Sequence, residues 1–168
     1  MALSVLVAYA TKKGSTREVA EAIAETLGEQ GLEVSVRPAE EVRELDRYDG
    51  VVLGGALYMG RWHSDARRFL KRHRGTLAEL PVAVFAMGPL RNEEHDIEGS
   101  RKQLDRALAG TPELEPLAVA IFGGVVDPEQ LRFPFSRMPA SDARDWDAIR
   151  VWAEHLATAL EARLLVGA

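Results

Sequence analysis

A chain of 168 residues lies within the usual span of one domain, roughly 100–200 residues, and leaves no room for a second catalytic domain. Its 21 basic and 26 acidic residues give a formal charge of −5, which argues against nucleic acid as a partner. There is no cysteine, so disulfides, thiolate zinc sites, iron–sulfur clusters, thioether-attached haem and a cysteine nucleophile are excluded. Redox chemistry in this chain would need a bound organic cofactor or another metal ligand set.

No apolar run approaches the ~18 residues that cross a bilayer. The chain enters Leu3-Ser4-Val5-Leu6-Val7 without a basic leader, and a soluble cytoplasmic protein is the expectation. No fixed-period repeat or low-complexity linker interrupts it, so residues 1–168 are expected to form a single unit.

Five short apolar runs alternate with segments of helical periodicity, the pattern of an α/β parallel sheet covered by helices on both faces. The first, Leu3–Tyr9, is followed by a helical face of Val19, Ala20, Ile23, Ala24 and Leu27. Glu33–Arg37 alternates polar and apolar residues and suits a half-exposed edge, with a short, weakly helical connection, Ala39–Asp46, behind it. Gly50–Ala56 is nearly all apolar; after it Ser64 is placed to cap a helix carrying Phe69 and Leu70 and ending at Gly75. Val82–Met87 precedes a helix from about Ile97 to Gly110 through Leu104 and Leu108. Ala118–Phe122, nearly all apolar as a buried strand should be, precedes a C-terminal helix with Ile149, Trp152, Ala153, Leu156 and Leu160 on one face. Five βα units with the second strand at an edge suit the doubly wound strand order 2-1-3-4-5.

In such a sheet ligands bind beyond the C-terminal strand ends, near the switch point between strands one and three. Three loops meet there. The first is Thr11-Lys12-Lys13-Gly14-Ser15-Thr16, ahead of a helix beginning near Arg17. Hydroxyls at both ends, a glycine for a tight turn and free amides at a helix start suit a phosphate monoester; a plain strand-to-helix turn with a threonine cap is the competing reading. The second runs from Gly54 through Ala56, Leu57, Tyr58, Gly60 and Trp62 to Ser64. Glycines flanking two aromatics suit a planar heteroaromatic, with Tyr58 or Trp62 stacking on it, unless the aromatics only cover the sheet edge. The third, Met87-Gly88-Pro89-Leu90-Arg91-Asn92 and onward to Asp96, would close the other side of the ring.

Rival phosphate motifs fail. Gly55 and Gly60 have the spacing of a P-loop, but Arg61-Trp62 follow in place of its lysine and hydroxyl, and no G-x-G-x-x-G joins the first strand to the first helix. The ends of strands one and three, Ala8-Tyr9-Ala10 and Leu53-Gly54-Gly55, carry no acid that could be phosphorylated.

Thr11-x-x-Gly14-x-Thr16, the approach Tyr48-Asp49-Gly50-Val51-Val52-Leu53-Gly54 and the segment Gly60-x-x-His63-Ser64 resemble the flavodoxin-type FMN proteins. Within them the chain is most similar to the menaquinone-dependent protoporphyrinogen dehydrogenase group, from Leu3 to about Gly124 and again at Arg144-Asp145-Trp146. The resemblance implies FMN, its phosphate held by Thr11, Lys12, Lys13, Gly14, Ser15 and Thr16. It implies an isoalloxazine flanked by Ala56, Leu57, Tyr58 and Gly60 on one side and Gly88, Pro89 and Leu90 on the other. Ordinary flavodoxins carry a hydroxyl residue where this chain has Lys13, which suggests the dehydrogenase-like branch. Members of that branch carry a long basic and aromatic insertion after strand five, suited to peripheral contact with a membrane; here it shortens to Val125–Ala143.

At roughly 19 residues this segment still exceeds an ordinary connection. Phe133 and Phe135 around Pro134 are placed either to cover a flat substrate or to stiffen a surface loop. Arg67, Arg68, Lys71, Arg72 and Arg74 form a basic stretch that reads as a solvated helix face or a dock for an acidic redox partner. His63 and His95 fall in ring-side loops and are proton-relay candidates; the four histidines have no metal-ligand spacing, and no metal is assigned. Three functions follow: an FMN oxidoreductase acting on a quinone or porphyrinogen, a carrier between redox partner proteins, or a binding module that keeps the fold without the cofactor.

Overall fold

The computed structural model describes residues 2–11, 14–89, 93–126 and 140–166. Lys12, Lys13, Leu90, Phe133, Pro134 and Phe135 lie outside them. Five long strands, β1 (Ser4–Ala10), β2 (Glu33–Pro38), β3 (Gly50–Tyr58), β5 (Val82–Met87) and β6 (Ala118–Phe122), form one parallel sheet in the order β2-β1-β3-β5-β6. Counting only these long strands, this is the expected 2-1-3-4-5 order of a flavodoxin-like doubly wound α/β fold. A two-residue strand, β4 (Arg61–Trp62), folds back antiparallel on the end of β3, and β7 (Val125–Val126) pairs with β8 (Ser141–Asp142) in a separate antiparallel ribbon.

Alternate residues of each central strand enter different cores. Val5, Val7 and Tyr9 of β1 join Val52 of β3 and Phe85 of β5 beneath α1 (Ser15–Glu29) and α5 (Trp146–Val166). Leu6, Ala8 and Ala10 join Leu53 and Val84 beneath α2 (Ser64–Arg72), α3 (Arg74–Leu77) and α4 (Glu94–Leu108). The expected helical faces are the buried ones: Val19, Ala20, Ile23 and Leu27 on α1, and Ile149, Ala153, Leu156 and Leu160 on α5. Phe85, Phe122 and Trp152 pack with centroids 5.6–6.3 Å apart, mostly edge to face.

Three local expectations change. β6 occupies the second edge of the sheet, so its apolar residues are mostly half-buried rather than enclosed. Ser64 is the first residue of α2 and not its cap; His63 caps the helix, Nδ1 accepting the Asp65 N–H at 3.0 Å. Imidazole Nδ1 lies within reach of an amide two residues ahead, and that places the cap one residue earlier than the serine implies. The helix expected to reach Gly75 breaks at His73 and resumes as α3.

The break at His73 has a packed environment. Its ring lies 4.6 Å from the Phe69 ring and its Nε2 is 3.3 Å from the Val42 carbonyl, which also accepts from Arg72. Burial holds the His73 imidazole below its ordinary value; Arg72 pushes the same way and the carbonyl bond opposes both. The unfolded ring protonates near pH 6.5 while the buried ring does not, so unfolding takes up a proton below that pH. Stability is therefore full above about pH 6.5 and falls as pH drops toward the folded-state value. Urea denaturation at pH 7.5 and 5.5 is expected to show a larger loss for wild type than for His73→Gln, whose amide can donate to the same carbonyl but does not titrate.

Candidate functional site

β1, β3 and β5 end at the same edge, and three loops leave there. The first begins at Thr11, whose Oγ1 accepts the Gly14 N–H at 2.9 Å. Gly14 is the N-cap of α1 at φ 90°, a left-handed conformation that a side chain would strain; an added Cβ would meet nothing within 4 Å, so the requirement is conformational rather than steric. Among the described residues no side chain caps α1, and its first-turn amides are offered past a residue without a side chain. Thr16, in that first turn, is 0% exposed, and its hydroxyl has no hydrogen-bond partner among the described residues. A buried hydroxyl left unpaired costs free energy, and an acceptor such as a phosphate oxygen would remove that cost.

The second loop is a hairpin. Leu57 pairs with Trp62 and Tyr58 with Arg61 across Met59 and Gly60, at φ 52° and 78°. Positive φ at both central residues is the two-residue turn that matches strand twist; glycine takes it freely and Met59 takes it at some cost. Tyr58 and Met59 stand exposed at the tip, 46% and 72%. Trp62 does not: it is 1% exposed, packed in the α2-side core, and its indole N–H donates to the Gly55 carbonyl at 2.9 Å. A ring so enclosed offers no face for stacking, and its place is the support beneath the hairpin. Gly55 makes this possible, since a Cβ there would lie 2.7 Å from the indole nitrogen.

The third loop starts at Gly88, whose N–H donates to the Phe122 carbonyl at 2.8 Å and whose missing Cβ leaves room for Ser100. Pro89 is buried, and its carbonyl accepts the Gly124 N–H at 2.8 Å. Between this loop, the hairpin and α4 lies a cavity of about 420 Å³ lined by Leu57, Gly60, Gly88, Pro89, His95 and Ser100, among others.

The fold thus gathers the sequence candidates into two groups. Thr11, Gly14, Ser15 and Thr16 cluster at the end of β1. Leu57, Gly60, Gly88, Pro89 and His95 share one cavity. Ala56 is half-buried beside it at the end of the β3–β5 pairing, and its carbonyl accepts the His63 N–H at 2.9 Å. His63 is engaged in capping through Nδ1, whereas His95 lies in the first turn of α4 on the cavity wall. The basic stretch is partly committed to the fold: Arg67 donates to the Trp62 carbonyl at 3.0 Å, Arg68 lies 3.6 Å from Asp65, and Arg74 pairs with Glu113.

Sequence reasoning assigned no role to Arg144. Its side chain is 10% exposed, and its guanidinium reaches Asp142, Glu18 and the Ser15 carbonyl in the first turn of α1. The paired Asp142 carboxylate holds the Arg144 guanidinium above its ordinary value, and in return Asp142 is held below the usual carboxylate range. Only the alternation of Asp142 and Arg144 hinted at the pair; no local pattern signals a contact across 129 positions. Among the described residues no helix is long and apolar enough to cross a membrane, and no cluster of ligating side chains could hold a metal ion.

The family model "Flavodoxin domain" matches residues 6–138, and the chain belongs to this family. It is 25% identical over 134 residues to the protoporphyrinogen IX dehydrogenase (quinone) of Escherichia coli K12, covering 79% of this chain and 71% of that protein. Among solved structures it is similar to flavodoxin 2 of Bacillus cereus, with a TM-score of 0.60, 23% identity and coverage of 95% and 99% of the two chains. It is also similar to an archaeal flavodoxin, with a TM-score of 0.62, 12% identity and the same two coverages. These likenesses establish the fold, and the family implies flavin binding.

Gly55→Ala places a Cβ against the Trp62 indole and 3.1 Å from the Ala66 Cβ, both in the core. Overpacking of this kind costs about 1–3 kcal/mol. Urea denaturation should show that loss, and Trp62 fluorescence should shift to the red as the ring is displaced toward water.

Proposed function

We propose that this flavodoxin-domain protein is an FMN-dependent oxidoreductase that acts on a flat redox substrate of the porphyrinogen or quinone class. The observation that carries the cofactor reading is Thr16, a fully buried hydroxyl with no described partner in the first turn of a helix whose N-cap is a glycine. The donor set fits a phosphate monoester: amides of Ser15 and Thr16, the Thr16 hydroxyl, and an open approach over Gly14. Lys12 and Lys13 belong to the same loop in sequence and would add charge to it.

Leu57, Tyr58 and Gly60 would flank one side of the flavin ring, with Ala56 at their base, and Gly88, Pro89 and Leu90 the other. When bound, FMN supplies one- and two-electron oxidation–reduction chemistry, so the chain needs no covalent nucleophile of its own. Its residues bind and orient. Trp62 holds the hairpin from beneath, Tyr58 presents its ring at the hairpin tip, and Gly88 lets β5 turn close against α4. His95 lines the cavity on that side, its imidazole the one histidine ring among the described residues of that wall. The substrate class is supported by the similarity to protoporphyrinogen IX dehydrogenase. In that reaction the porphyrinogen is oxidised and the quinone is reduced.

Titration of the apo-protein tests the cofactor reading. Thr16→Val should weaken FMN by about 1–3 kcal/mol, leave riboflavin unchanged and not destabilise the apo-protein, because the hydroxyl has no described bond to lose. Equal FMN affinity in the two proteins would remove the phosphate assignment.

Anaerobic stopped-flow tests the substrate class. Reduction that saturates with protoporphyrinogen, followed by reoxidation that saturates with a menaquinone analogue, is the expected result. Electron transfer only with protein partners, falling as salt rises and with no saturation by either compound, would identify a carrier instead.

A further inference from the structure

We propose that Arg144 is a positioning residue for the phosphate site: it fastens the first turn of α1 to the β7–β8 ribbon and holds a cation there that favours a phosphorylated flavin over its unphosphorylated counterpart. The proposal rests on the flavin reading above.

An arginine whose side chain is only 10% exposed must be paired, and Arg144 is paired in every direction the structure describes. Nε and Nη2 form a fork on Asp142 at 2.9 and 2.7 Å, and the Arg144 backbone N–H donates to the same carboxylate at 3.0 Å. Nη1 approaches the Ser15 carbonyl at 3.5 Å and Glu18 at 3.4 Å, and the guanidinium carbon lies 4.8 Å from the centre of the Trp146 ring. Contacts from three elements, β8, α1 and α5, leave the guanidinium one position. The same stretch of chain reaches the other loops, since the Ala143 N–H donates to the Gly124 carbonyl at 3.0 Å and the Gly124 N–H to the Pro89 carbonyl. One stitch therefore joins the phosphate end of the site to the ring end.

Its electrostatics point the same way. A cation beside a helix N-terminus opposes the helix dipole, which favours anions there. Asp142 and Glu18 offset that cost in the free protein, so the arrangement does not unfold the turn. A dianionic phosphate arriving at the uncapped amides would meet a cation already desolvated and oriented. The Asp142 carboxylate alone would repel that phosphate; its contribution is to fix the arginine.

Apo-proteins carrying Arg144→Met, Arg144→Lys and Asp142→Asn, each titrated with FMN and with riboflavin, test the proposal. Arg144→Met should weaken FMN roughly three- to thirtyfold and riboflavin by less than about twofold, and Arg144→Lys should recover part of the loss. Asp142→Asn is the discriminating variant at an exposed carboxylate. Removal of a negative charge would by itself tighten FMN, whereas loss of the arginine's anchor should weaken it about two- to fivefold. Equal weakening of both ligands by Arg144→Met, full retention of the FMN preference, or tighter FMN binding by Asp142→Asn would each overturn the proposal; if Arg144→Met does not fold, Asp142→Asn decides. A wild-type protein that fails to prefer FMN to riboflavin would overturn the phosphate-site reading and this proposal together, whereas an intact preference in wild type and in both Arg144 variants would overturn this proposal alone.

Discussion

β1 is hydrogen-bonded on both sides, to β2 and to β3, and buried on both faces, with Val5, Leu6, Val7, Ala8 and Ala10 all at 0% exposure. Such a strand has no freedom of register, because a one-residue slip would exchange the residues of two different cores. Its last residue therefore fixes where the chain leaves the sheet, and Thr11, Gly14, Ser15 and Thr16 follow within one turn. The loop proposed to hold phosphate owes its position to β1.

At the neighbouring strands the same edge is shaped by absent side chains. Gly54 lies against the Phe85 ring, Gly55 against the Trp62 indole and Gly88 against Ser100, each closer than a Cβ would permit. These contacts draw the hairpin and α4 down onto the sheet and leave a cavity between them. The hairpin divides its labour by side-chain direction. Trp62 faces inward and carries packing; Tyr58, opposite Arg61 one pair nearer the tip, faces outward and is half-exposed. Two aromatics four residues apart thus have unrelated roles, as strand geometry with its alternating faces requires.

The functional reading is likewise built from what the fold leaves unsatisfied. In the flavodoxin domain family the redox chemistry resides in a flavin, and a chain without cysteine is suited to leave that chemistry to a cofactor. On the proposed reading the chain contributes a buried hydroxyl with no partner among the described residues, a helix start at a glycine, and a paired arginine that reaches the same first turn. The fork between Arg144 and Asp142 is more than a surface ion pair, because burial on one side and fixed bidentate geometry make it less subject to solvent screening than exposed pairs such as Arg17–Glu21.

Sequence alone determined the alternation of strands and helices, the edge character of β2 and the threonine–glycine pattern after β1, because apolar periodicity and turn chemistry are local properties of the chain. It also pointed to the three loops, since a doubly wound sheet brings its C-terminal strand ends to one edge whatever their residues. Tertiary structure decided the rest. Trp62 lies in the core because Gly55 offers its carbonyl and a gap, and nothing within the hairpin sequence specifies which way the indole turns. His63 rather than Ser64 caps α2 because backbone geometry at the end of the hairpin brings Nδ1 to the Asp65 amide. β6 is half-buried because it is last in the sheet, a property of strand order and not of its own apolar residues. Arg144 meets Ser15 and Glu18 only once α5 has packed beside α1, since a contact between the two ends of a chain leaves no periodicity in either.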